Sequence, residues 1–226
     1  MATSKQKSAA LDKWSCEFPE LAPIDKYTLA KRSGHLITGI CLDGMRDKTI
    51  YQPRFFCHNL LVPFPIVSLS YNVPLLDNNG VPQPVKYDAE VSDFAKDLTT
   101  NLCLAEAQTF SIFWKHVNNA IKGKYGYGPL ATYLPHAVKD LITLNSIRVS
   151  QHESLDILEK ALLYLESKGN VNFNISGSAS EWRQEVEGLI KSEQSELAQE
   201  NAIALKLDSL EIHPFKYDNV ENFWEL

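Results

Sequence analysis

The sequence has no apolar run near the roughly 20 residues that span a bilayer. Its first ten residues carry Lys5 and Lys7 but no apolar stretch of the secretory type. That start reads as a flexible segment of a cytoplasmic chain, without membrane contact. Cysteine is sparse: Cys16, Cys41, Cys57 and Cys103 form no CxxC pair, so they are expected to be reduced thiols. Internal repeats and low-complexity blocks are absent, and no sharp catalytic or cofactor motif is present. The sequon Asn174-Ile175-Ser176 is read as accidental.

What is there is ordinary globular material. The 226 residues, with 44% apolar and 22% charged side chains, suffice for one large domain or two small ones. The net charge of −6 is uneven: residues 150–212 hold 5 basic and 12 acidic side chains, whereas 91–149 hold 6 and 4. An acidic C-terminal third repels a phosphate backbone and suits solubility or a basic protein partner.

The hydrophobic period changes near residue 90. Before it, strands are expected over 35–42, 49–61 and 65–72, with Pro53 marking an edge or bulge. A short helix over 21–32, capped by Asp25, precedes them. Short connections favour an antiparallel sheet. After residue 90 the spacing predicts helices over 92–121, 130–144, 150–168 and from Ser178 to about Leu197. Ser150 and Glu153 fit a capping box. Alternation over 171–175 and again over 203–207 suggests short strands.

The reading is an α+β fold: an N-terminal antiparallel sheet, then a mainly helical region with a small strand element, winged-helix-like in one arrangement. The divisions are a flexible 1–20, a β region 21–76, a linker 77–90, a helical region 91–212 and an aromatic, acidic tail 213–226.

Candidate chemistry is thin. Cys41, Cys57, His58 and His35 are the types that bind zinc, but neighbours on a strand point to opposite faces. Cys57 with His116 or His136 has the ingredients of a thiol–base dyad. Asp43, Asp47, Asp88, Glu90 and Asp93 are available to a metal-dependent hydrolase or nuclease, yet fit turn and capping chemistry equally. Hence no catalytic, cofactor or metal residue is assigned. Lys115, Lys122 and Lys124 with Tyr125 and Tyr127 form a glycine-rich basic and aromatic stretch suited to nucleic acid. Helix 150–168 is too acidic to enter a major groove. Phe215, Tyr217, Phe223 and Trp224 make the tail a candidate partner-binding peptide.

Three segments, Lys31-Arg-Ser-Gly-His-Leu-Ile-Thr-Gly-Ile-Cys-Leu-Asp43, Tyr51-Gln-Pro-Arg-Phe-Phe-Cys-His-Asn-Leu60 and Phe64-Pro-Ile-Val-Ser-Leu69, resemble the small accessory subunits of Lamassu-type bacterial defence systems. The resemblance covers about a quarter of the chain and carries no catalytic residue. It implies assembly with an SMC-like ATPase and a nuclease effector. The functional expectation is therefore a non-catalytic bridging subunit. A metal-dependent hydrolase and a nucleic-acid-binding module are the alternatives.

Overall fold

The computed structural model describes residues 2–67, 71–96, 108–123, 133–169, 171, 173 and 177–226. Helix α1 (Ser4–Glu17) replaces the flexible start expected over 1–20. Thr3 and Gln6 close a capping box, the Gln6 amide donating to Thr3 Oγ1 (3.2 Å) and the Thr3 amide to Gln6 Oε1 (2.9 Å). Only Ala10, Leu11 and Trp14 are buried along it, a stripe too narrow to announce a helix in the sequence.

The expected helix over 21–32 is instead β1 (Ala22–Pro23) and β2 (Thr28–Ser33). Asp25 caps the turn between them, accepting from the Tyr27 amide at 2.7 Å. All six β2 residues are buried, so no alternation marks the strand. The two-residue turn Gly34-His35 leads into β3 (Leu36–Gly44), with Gly34 in the left-handed region at φ 55°. β4 (Ile50–Asn59) pairs with β3 over nine residue pairs from Leu36↔Asn59 to Gly44↔Tyr51.

Beyond β4 lie β5 (Val73–Pro74), which pairs with Arg54 and Phe55, and β6 (Val85–Lys86), which pairs with Ile50 and Tyr51. Pro53 falls between those two partners. Its carbonyl accepts from the Leu75 amide (2.9 Å), so its imino nitrogen faces the interruption and no ladder bond is lost. The third strand expected over 65–72 is not found: 65–67 is irregular, Tyr71 lies in a turn, and 68–70 lie outside the described residues.

Residues 92–96 are helical, but the helix expected to run unbroken to 121 is interrupted. β7 (Gln108–Thr109) precedes α2 (Phe110–Ile121), and Thr109 is its N-cap rather than an interior position. α3 (Leu134–Asn145) carries Pro135 in its first turn, where no amide is needed. α4 (Gln151–Ser167) is capped by Ser150, although Glu153 does not complete a box. The expected last helix is two, α5 (Ala179–Lys191) and α6 (Gln194–Ala204), broken at Ser192. The strand expected over 203–207 is the end of α6 and a turn with Lys206 at φ 60°. Of the strand expected over 171–175, Val171 and Phe173 are described and have no strand pairing; 172 and 174–176 lie outside the described residues. Among the described residues there is thus no wing.

The sheet is antiparallel except where β8 (Ile212–His213) joins β2 in parallel. β9 (Phe215–Lys216) pairs with β7. One hydrophobic cluster runs from Ala10 and Trp14 through Ile40 and Phe56 to Leu141, Trp182 and Phe223. Sheet and helices therefore share a core. Trp182 Nε1 donates to the Pro135 carbonyl (3.0 Å), and Asn201 Nδ2 to the Leu60 carbonyl (2.7 Å).

Candidate functional site

The end of β4 and the middle of α3 enclose a group of buried polar side chains. Asp140 is 3% exposed. Tyr71 donates its hydroxyl to Asp140 Oδ2 (2.6 Å), and Asn59 Nδ2 donates to Oδ1 (3.3 Å) and to Thr143 Oγ1 (3.0 Å). His136, one helical turn before Asp140, places Nε2 3.4 Å from Oδ2. Its ring stacks on Tyr71 with centroids 6.4 Å apart.

Tyr71 is held in the left-handed region at φ 52°, which costs a non-glycine residue about 1–2 kcal/mol. His116 holds it there: its Nε2 lies 2.7 Å from the Tyr71 carbonyl. A carbonyl only accepts, so this nitrogen carries the proton.

The residue types for a thiol–base dyad, Cys57 with His116 or His136, have an unfavourable setting here. Cys57 is 3% exposed; burial pushes its thiol up, and the Asp140 charge adds to that. Burial lowers His116 to about 4, against the opposing bond to Tyr71. Burial also lowers His58 to about 4; Asp140 opposes that shift and His136 adds to it. A thiol raised by burial and an imidazole at His116 lowered by burial lack the thiolate–imidazolium character of an activated nucleophile. The arrangement ties β4, α2 and α3 together.

The acidic candidates are engaged in ion pairs, turns and Lys13 contacts. Asp43 pairs with Arg54 (2.7 Å), Asp47 caps the turn at Thr49 (2.9 Å), Glu90 pairs with Lys13 (2.8 Å) and Asp93 with Lys96 (3.7 Å). The Asp88 carbonyl accepts from Lys13 (3.1 Å). Among the described residues no three His, Cys, Asp or Glu side chains are placed to hold a metal ion.

Lys115 and Lys122 are exposed on α2 and at its C-cap. Lys124, Tyr125 and Tyr127 lie outside the described residues, as does Cys103.

The aromatic tail packs on its own chain. Phe223 is 2% exposed and meets Phe110 edge-on at 5.2 Å; Trp224 lies against Phe223 at 5.1 Å. Trp114 Nε1 donates to the Phe223 carbonyl (2.9 Å). Phe215 and Tyr217 contact each other at 4.8 Å, and the Tyr217 hydroxyl is 2.7 Å from His35 Nδ1. Tyr164 bonds to the Leu226 carbonyl. The sequence signal for tail aromatics thus marks an intramolecular strap. The group around Asp140 had one local signal, the four-residue spacing of His136 and Asp140. Tyr71 had none.

Part of the open surface is apolar. Leaving β4, the chain exposes Pro63, Phe64, Pro65 and Ile66 in succession, Phe64 at 40% and Ile66 at 64%. Among the described residues no helix is long and apolar enough to cross a membrane. No known protein family, curated protein or solved structure matches this chain.

Proposed function

We propose that this protein is a non-catalytic interaction subunit of a larger protein assembly. The exposed run Pro63-Phe64-Pro65-Ile66 carries this reading, because four successive apolar residues facing water are stabilised by being covered. The acidic C-terminal third supports it by favouring a basic protein surface. The sequence resemblance would make the assembly an SMC-type antiviral or anti-plasmid complex, with an SMC-like ATPase and a nuclease effector as partners in the cytoplasm.

Phe64→Asp/Ile66→Asp tests it. Both side chains are exposed, so the fold should survive, as read by circular dichroism and thermal unfolding. Partners recovered with the tagged wild-type chain should be lost from the double variant. Equal recovery with both chains contradicts a role for this segment.

A second reading, nucleic-acid binding, rests on Lys115 and Lys122, seven residues apart and thus on one side of α2. It predicts binding that weakens steeply with salt and disappears in Lys115→Glu/Lys122→Glu. The metal-dependent hydrolase reading has less support, since its candidate acids sit in turns and ion pairs and no three of them converge among the described residues.

A further inference from the structure

Arg32 is 5% exposed, and no carboxylate reaches its guanidinium among the described residues. Its hydrogen-bond partners are neutral: Nε donates to the Gly34 carbonyl (3.1 Å) and Nη1 to Gln199 Oε1 (3.3 Å). Other buried or half-buried cations have acids nearby. Lys139 has Glu185 at 2.8 Å, Arg54 has Asp43 at 2.7 Å and Lys31 has Glu20 at 4.0 Å. A desolvated cation is expensive unless an opposite charge meets it, so Arg32 departs from the pattern of its own chain.

Three features favour a single small anion at this buried cation, against the repulsion of the exposed Glu196 and Glu200 on the helix of Gln199. Gln199 is exposed on α6, so the long bond from Nη1 ends on a side chain that can swing into solvent. Burial first, and the Arg32 charge second, hold His35, in the β2–β3 turn, below its ordinary range. The planar guanidinium fork also matches carboxylate and phosphate oxygens in pairs.

We propose that Arg32 is the anchor of a binding site for one oxyanion, a carboxylate or phosphate group, which displaces Gln199 and supplies the missing counter-charge. The site is separate from the apolar segment at 63–66 and does not depend on its role.

Thermal unfolding of the full chain tests the proposal, with inorganic phosphate and sodium acetate titrated against sodium chloride at equal ionic strength. The wild type should show a rise in Tm that saturates with phosphate or acetate and is absent with chloride. The anion that saturates at lower concentration identifies the preferred chemistry. General stabilisation by phosphate grows without saturating and is common to all variants. Gln199→Glu sets a carboxylate against the guanidinium; it should raise Tm without added anion and lose the saturable response. Arg32→Gln should lose that response too, and Gln199→Glu keeps the test decisive if Arg32→Gln fails to fold. A wild-type shift that follows ionic strength alone, or a full saturable response in Gln199→Glu, overturns the proposal.

Discussion

Tyr71 reaches Asp140 across 69 residues of sequence with a 2.6 Å hydrogen bond, both side chains buried. That bond gives the buried carboxylate a donor, while His116 holds the left-handed Tyr71 backbone through its carbonyl. Tyr71→Phe should therefore cost about 1–3 kcal/mol, the range for leaving a buried acceptor short of a partner. Urea unfolding measures this, and an unchanged midpoint would show that the bond contributes nothing net.

Acid should destabilise the protein in a defined window. His58 and His116 have folded pKa values of about 4, below the ordinary 6.5, chiefly because burial disfavours their charged forms. Between those values the unfolded chain binds more protons. Stability from these groups is therefore complete above pH 6.5 and declines as pH falls towards 4. Each contributes on the order of 3 kcal/mol across the window. Unfolding free energies from pH 7 to 4 check the slope, which His116→Gln should reduce.

The tail should matter to folding before it matters to any partner. Phe223→Ala empties a buried site against Phe110 and should cost about 3–5 kcal/mol. Truncation after His213 should lower Tm at least as much, and a retained Tm in the truncated chain would show that the strap does not hold the fold.

Asp218 holds the first turn of α2 from the tail, accepting from the Ser111 amide (2.9 Å) and hydroxyl (2.5 Å). Burial raises its pKa, but the Ser111 bonds, its own backbone amide and the Lys216 charge together leave it below the ordinary 3.8. Its stabilisation is therefore present above that value and lost as pH falls through the lower folded pKa. The stability gap between wild type and Asp218→Asn should be present at pH 7 and close in strong acid.

Two glycines should respond in opposite directions. A Cβ on Gly39 would lie 2.1 Å from the Leu29 carbonyl oxygen and 2.9 Å from Ala30 Cα, both backbone atoms of the neighbouring strand. Gly39→Ala should cost about 1–3 kcal/mol or more. At Gly188, inside α5, a Cβ meets nothing within 4 Å, so Gly188→Ala should stabilise by about 0.4–1 kcal/mol. Thermal unfolding of the pair separates the two effects.

β3, β4 and the Ser150 cap are legible in the sequence because each rests on a local signal: alternation bounded by turn residues, or a cap before an apolar stripe. β2 is not legible, because Lys31 and Arg32 are buried among apolar residues on a strand covered on both faces. The helix expected through 109 fails for a tertiary reason, since Gln108 and Thr109 are drawn into pairing with Phe215 and Lys216 from the far end of the chain. The same long separations hide the polar group. His136 and Asp140 share a helix face, but Asn59 and Tyr71 reach them only through the fold.

The most direct measurement is the mass of the particle that contains this chain, tagged and purified from its native host at its native level. An interaction subunit should run in a stoichiometric complex well above 25.5 kDa, with an SMC-like ATPase and a nuclease effector among its partners. A monodisperse particle of 25.5 kDa, eluting alone, would contradict that role.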